Sequence, residues 1–377
     1  MHLRLRPAAI GLLALVAATG CAGSTGGEWG SSSTTGSATA AAAGPAEGSP
    51  ALLSTTTTTT PDAISSTTAD LPSGLVGCAD GPDSRCAANS SAGSAFLEAS
   101  VVGGTYGFRF VRVGGEVVAS WNPEHPFYPA SSIKVLQHLH AVRWAAAQPD
   151  PAQALHTPIP VYDDSCAGEG TFRREPLGAV LAAMMIESDN QRANAIQDYF
   201  GRVAINATAA EVVGTIDTLL AHRFGCGGPA NDPANRSTAF DLSRIFERVA
   251  GEEVLDAEGT RIFDSLMLGG LWPSLEAAVA AEGAALGLDP ETVEAFRAAI
   301  ELHYKAGWWG TNLSIGGLLG LPSAPCEGDA PEYAFAVFVD GADAVADGFD
   351  VSDVVAVVLR EEIRTALLAL VDSSCPP

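Results

Sequence analysis

Lysine is almost missing from this chain: Lys134 and Lys305 are the only two lysines among 20 basic residues in a total of 377. Surface cations are supplied by guanidinium groups, so an amine kept against that trend points to a task arginine cannot perform. Burial and neighbouring charge can strip the proton from lysine, which makes it available as a general base, whereas arginine stays charged. Positive charge as a whole is scarce, since 44 Asp and Glu set the formal net charge at −24. With no basic patch, nucleic acid and anionic lipid are excluded as partners. Metal-ligand spacing is lacking too. The cysteines are scattered, and His138 and His140 fall on different faces of a helix, so no metal and no cofactor is expected.

The N-terminus reads as a secretory signal over residues 1–20. Arg4 and Arg6 precede the apolar run Ala8 to Ala18, and Ala18-Thr19-Gly20 lead into Cys21. Small residues directly before a cysteine fit a bacterial lipobox, with Cys21 as the lipid carrier; Ala18 stands where leucine is usual, which leaves plain secretion as the alternative. The expected location is extracytoplasmic, with contact to the membrane through the lipid only. Residues 21–92 read as a Ser/Thr/Ala/Gly-rich linker, including Thr55 to Thr60. Such composition buries too little apolar surface to offset its ordering entropy. One monomeric domain is expected over 93–377. Setting Cys21 aside leaves an even set of cysteines for an oxidising compartment, and the simplest pairs are Cys78 with Cys86, Cys166 with Cys226, and Cys326 with Cys375.

Tyr106 to Val113 alternates as a strand, Gly114-Gly115 makes a hairpin turn, and Glu116 to Ser120 returns. Helical spacing then dominates from Leu177 to Phe200 and through most of 241–303. After Lys305, Trp308 to Leu319 and Tyr333 to Val339 read as strands, and Ser352 to Val371 as a closing helix. The implied class is α/β in the α+β sense: an antiparallel sheet built from both chain ends, with a helical region inserted between them.

The run Pro129-Ala130-Ser131-Ser132-Ile133-Lys134 opens one of these helices. Residues i and i+3 share a helix face at about 5–6 Å between Cβ atoms, so the Ser131 hydroxyl and the Lys134 amine can meet. Pro129 as the helix start places Ser131 in the first turn, where free N–H groups favour a developing oxyanion. A serine hydroxyl is a weak nucleophile unless a base lies within reach, and this spacing supplies one.

Two further signals follow in order: Ser188-Asp189-Asn190, and Lys305-Ala306-Gly307. Ser-x-x-Lys, Ser-Asp-Asn and a Lys-Thr-Gly-like triplet together resemble the class A β-lactamases and penicillin-binding proteins. The resemblance covers about 280 residues and implies a five-stranded antiparallel sheet flanked by helices beside an all-helical subdomain. It also implies site roles. Ser131 would be the nucleophile, Lys134 its base and Ser188 the proton donor to the leaving nitrogen. Lys305 would supply charge across the cleft, Asn190 would hold the substrate amide, and the N–H groups of Ser131 and Trp308, next to Gly307, would form an oxyanion hole. Asp189 reads as structural, bonded to local backbone.

The sequence departs from this pattern in two places. No glutamate equivalent to the one that activates the deacylating water is found between Asn190 and Thr238; Asp232 is the only carboxylate of the short stretch Phe224 to Arg236. Ala306 lacks the hydroxyl that would meet a substrate carboxylate. Trp308 and Trp309 follow it, and either narrow the cleft or cap the helical insertion between Leu268 and His303. The expected activity is that of a serine hydrolase attacking an amide or ester, with a D-alanyl peptidoglycan peptide as candidate substrate. The alternatives are β-lactam hydrolysis and a non-catalytic cell-envelope binding lipoprotein.

Overall fold

The computed structural model describes residue 78, residues 84–323 and residues 330–372. The signal segment, Cys21, most of the linker and the Cys326–Cys375 pair lie outside the described residues.

In chain order the domain runs α1 (Arg85–Ser100), β1 (Thr105–Arg112), β2 (Val117–Trp121), α2 (Lys134–Ala146), β3 (Pro158–Asp164) and β4 (Glu169–Pro176). It continues with α3 (Leu177–Ile186), α4 (Asn190–Phe200), α5 (Ala239–Ala250), α6 (Ala257–Ser265), β5 (Leu268–Gly269), α7 (Pro273–Ala285) and α8 (Pro290–Ala298). The last elements are β6 (Glu301–Trp309), β7 (Asn312–Gly320), β8 (Glu332–Asp340), α9 (Asp353–Val358) and α10 (Arg360–Asp372). One antiparallel sheet has the order β2-β1-β8-β7-β6-β5. The expected five strands are present, and the two-residue β5 adds a sixth at the edge.

The two faces of the sheet follow from the strand period of two. On β8, Tyr333, Phe335, Val337 and Val339 join one buried cluster with Leu97 of α1, Trp272 and Leu275 at α7, and Val354 to Leu367 of the terminal helices. The intervening Ala334, Ala336 and Phe338 join a second cluster with α2 through α6. Small residues on that side let α5 lie close: a Cβ added at Gly316 would come within 2.8 Å of Leu242. Arg109, buried beneath α5, donates to Ser243 Oγ at 2.9 Å and pairs with Glu247 at 3.0 Å.

Helix α1 starts ahead of the expected boundary at residue 93. Ser84 caps α1 by accepting from Ala87 N, and the Cys78–Cys86 disulfide closes a small loop at its start. This helix packs through small and polar residues. A Cβ at Gly93 would lie 2.8 Å from Val358 and 2.9 Å from Phe108, while Ser90 Oγ accepts from Ser120 N and Asn89 donates to Val118 O. The hairpin β3–β4 is also additional to the sequence reading, because β4 is largely exposed and shows no apolar alternation. Lys305 lies inside β6 instead of ahead of a strand, α8 ends at Ala298, and the closing helix is divided at Leu359.

Candidate active site

From β2 the backbone reaches the cleft through Phe127, which exchanges hydrogen bonds with Ser237 at 2.8 and 3.0 Å. Ala130 then takes φ +46°, a left-handed conformation that costs a residue bearing a Cβ about 1–3 kcal/mol. The α-helix therefore starts at Lys134 and not at Pro129. Before it come successive three-residue turns, in which Ser132 N donates to Pro129 O at 3.0 Å and Lys134 N to Ser131 O at 3.2 Å. Ser131 sits in this turn, one step ahead of α2. In such turns residues i and i+3 eclipse, so the correction keeps Ser131 and Lys134 aligned.

The turn is clamped to the sheet. Pro129 O accepts from Ser132 Oγ at 2.9 Å and from Ser314 Oγ, on β7, at 2.7 Å. Ser314 stands opposite Gly307 of β6. A Cβ on Gly307 would lie 2.6 Å from each of Pro129 O, Ser131 N and Ser314 Oγ, so only glycine admits this approach without a shift. Ser131 is half-buried, and its N–H has no acceptor among the described residues. Strand β5 pairs with β6 only at His303 and Tyr304, which leaves residues 305–309 as a sheet edge running past the turn.

Lys134 is fully buried at 0 % exposure, and among the described residues its amine hydrogen-bonds to the 188–190 segment. It donates to Ser188 O at 2.6 Å and Asn190 Oδ1 at 2.7 Å, and lies 3.3 Å from Ser188 Oγ. Nζ donates in all three contacts, so the set engages the three N–H groups of the charged amine, and loss of a proton frees a lone pair on Nζ. Burial first, then the charge of Lys305, push Lys134 down to about 6, against the opposing pull of Asp189. Burial brings Lys305, 4 % exposed and donating to Ala306 O at 2.8 Å, down to about 8. Between these values one amine is a free base while the other carries charge. No hydrogen bond joins Ser131 Oγ to Lys134 among the described residues.

Ser188 is held at φ +57° where α3 stops, and Asp189 caps α4 by accepting from Arg192 N at 2.7 Å. Asp189 thus bonds local backbone, as the sequence reading has it. The loop facing this segment contributes Phe224, whose ring centroid lies 4.9 Å from Lys134 Nζ. Buried Asn194 fixes it in place by accepting from Phe224 N at 2.8 Å and donating to Phe224 O at 3.0 Å. Asp232 is exposed and has no hydrogen-bond or ion-pair partner among the described residues. The group this loop presents to the amine is therefore an aromatic ring and not a carboxylate, and a ring face attracts the charged form of the amine. Phe224, Asn194 and Ser314 escaped the sequence reading; only the position of Asn194, four residues after Asn190 on one helix face, hinted at a shared role.

Cys166 and Cys226 are disulfide-bonded, tying the Phe224 loop to the turn between β3 and β4. Trp308 is 74 % exposed, with its Nε1 donating to Gly310 O, and Trp309 lies against Gly228. The insertion is packed instead by its own Trp272, edge-on to Tyr304 and Phe335.

Residues 94–278 match the model of the β-lactamase enzyme family, a span that includes Ser131, Lys134, Ser188 and Asn190. The family model and the solved structures agree on a β-lactamase-like fold for this domain. Solved structures share the fold of this β-lactamase-like domain. A β-lactamase from Sphaerobacter thermophilus superposes with TM-score 0.56 and 19% identity over 74% of this chain and 98% of its own. One from Desulfarculus baarsii gives 0.54 and 20% over 74% and 98%. A PBP-A variant, in an acyl-enzyme complex with penicillin G, gives 0.52 and 19% over 74% and 95%. No curated protein matches the sequence.

Proposed function

We propose that the protein is an extracytoplasmic acyl-serine enzyme, held at the membrane by a lipid on Cys21, that acylates readily and deacylates slowly. One observation carries this reading: a buried amine, lowered to about 6 and held by Ser188 and Asn190, lies in register with Ser131. Lys134 takes the Ser131 hydroxyl proton as Oγ bonds to the substrate carbonyl carbon. The N–H groups of Ser131 and Trp308 hold the oxyanion. Collapse of the tetrahedral intermediate breaks the C–N or C–O bond, and the proton passes from Lys134 through Ser188 to the leaving atom. Asn190 orients the substrate amide and Lys305 supplies charge from the opposite wall. Phe224 offers no carboxylate to activate water, so the ester on Ser131 persists or passes to another acceptor. A peptidoglycan D-alanyl peptide is the substrate this chemistry fits.

The test is intact-mass spectrometry of the secreted protein mixed with penicillin G, followed over hours, with peptide mapping of any adduct. A persistent adduct on Ser131 is expected. An adduct that disappears as the antibiotic is consumed would replace this reading with β-lactam hydrolysis, and no adduct on Ser131 would remove penicillin recognition.

A further inference from the structure

Three donors converge on one carbonyl beside the nucleophile. Pro129 O accepts from Ser132 N at 3.0 Å, from Ser132 Oγ at 2.9 Å and from Ser314 Oγ at 2.7 Å. A carbonyl oxygen has two lone pairs, so its accepting capacity is fully used. Two of the donors are local to the turn, whereas the third and shortest comes from β7. Ser314 is fully buried, and among the described residues its hydroxyl has no other acceptor. By the strand period of two it shares a sheet face with Gly316 and Leu318, where packing alone asks for no hydroxyl.

That carbonyl controls the direction of the next peptide. The Pro129–Ala130 unit is planar, so holding its oxygen fixes the plane from which Ala130 departs at φ +46°. Relaxing Ala130 toward an ordinary helical conformation would relieve its strain but turn the Ala130–Ser131 peptide, which carries the Ser131 N–H. This N–H faces β6, since a Cβ on Gly307 would lie 2.6 Å from Ser131 N. Tyr128 N donates to Asp340 Oδ2 at 3.1 Å and ties the approach to the end of β8. From Pro129 to Ser132, the bond from Ser314 is the only hydrogen bond to the sheet among the described residues. Ser314 stands opposite Gly307, with Trp308 the next residue of β6. Its hydroxyl therefore bridges the turn bearing one N–H and the strand region bearing the other.

We propose that Ser314 is the positioning residue of the oxyanion hole, its hydroxyl setting the Ser131 N–H against the Trp308 N–H. This rests on Ser131 being the nucleophile and on those two N–H groups receiving the oxyanion. Lys134 meets Ser188 and Asn190 through other contacts, so loss of the Ser314 hydroxyl leaves the base in place. The effect falls on the charge that develops on the substrate oxygen.

The test compares p-nitrophenyl phenylacetate with its thionoester, in which C=S replaces C=O. Ser131 Oγ attacks the carbon, its proton passes to Lys134, and the C–O bond to the aryl group breaks. The p-nitrophenolate released is read by absorbance and the acyl group on Ser131 by intact mass. Sulfur accepts hydrogen bonds weakly, so an aligned hole favours the oxygen ester. Ser314→Ala is expected to lower the oxo-to-thiono acylation ratio at least about tenfold while the thionoester rate stays within about threefold. Equal falls in both rates, or a smaller change in the ratio, overturn the proposal. If that variant does not fold, Ser314→Cys serves with the same threshold, because a thiol fills the site but donates weakly. Failure of both esters to acylate Ser131 in the unaltered protein would remove the nucleophile and the proposal together. A ratio in the unaltered protein no larger than that for hydroxide in solution would remove the oxyanion hole. Acylation with an oxygen preference that Ser314→Ala leaves unchanged would remove the role of Ser314 alone.

Discussion

Lys134→Arg is expected to slow acylation of Ser131 by about 10²–10⁴-fold, the range over which a positioned general base acts. The substitution keeps the cation but removes the ability to lose a proton. The pH profile separates loss of a base from simple disruption. In the unaltered protein Lys134 must be neutral and Lys305 charged. Acylation therefore rises with pH through about 6 as Lys134 deprotonates, and falls through about 8 as Lys305 does. The amines interact, so both limbs belong to the pair. Lys305→Arg, which holds its charge to high pH, should keep the rising limb and lose the falling one. Stopped-flow acylation from pH 5 to 10 on folded variants checks all three statements. An arginine variant that acylates at the normal rate would end the assignment of Lys134 as base.

The second large effect is expected at Gly307→Ala. The added methyl meets Pro129 O, Ser131 N and Ser314 Oγ, all at 2.6 Å. Two of these are backbone atoms and cannot rotate away, so either β6 or the Ser131 turn must move. Overpacking of this kind costs about 1–3 kcal/mol of stability. A displacement near 1 Å in a site that depends on alignment costs about 10²-fold in rate. Thermal unfolding and acylation kinetics on the same sample should show both losses. An unchanged rate would mean that the approach of β6 to Ser131 is irrelevant to the chemistry.

The catalytic candidates were legible because they are side chains with chemistry of their own, at short or ordered spacings. Ser131 and Lys134 are three apart, and each lysine of so arginine-rich a chain invites a reason. What the sequence did not disclose works through backbone or through contacts distant along the chain. Ser314 acts on a carbonyl 185 residues away, and Phe224 reaches Lys134 only because Asn194 grips its peptide group. Helix α1 escaped because it buries Gly93, Asn89 and Ser90 where periodicity seeks leucine. Strand β4 escaped for the opposite reason, carrying Arg173, Arg174 and Glu175 on an exposed hairpin whose order comes from pairing with β3. The Ser131 turn shows the same limit: a proline suggested the helix start, and the left-handed Ala130 moved it to Lys134.

Both lysines are interior, at 0 % and 4 % exposure. A protease that cuts only after lysine therefore finds no accessible bond in the closed domain. Its two cleavage points lie on opposite walls of the cleft, one at the head of α2 and the other in β6. Proteolysis by such an enzyme counts the openings of the cleft itself, and when reclosing is fast compared with cutting, the rate reports their free energy. A covalently bound acyl group that braces the walls would register as slower digestion, so the scarcity of one amino acid turns an ordinary protease into a gauge of the site.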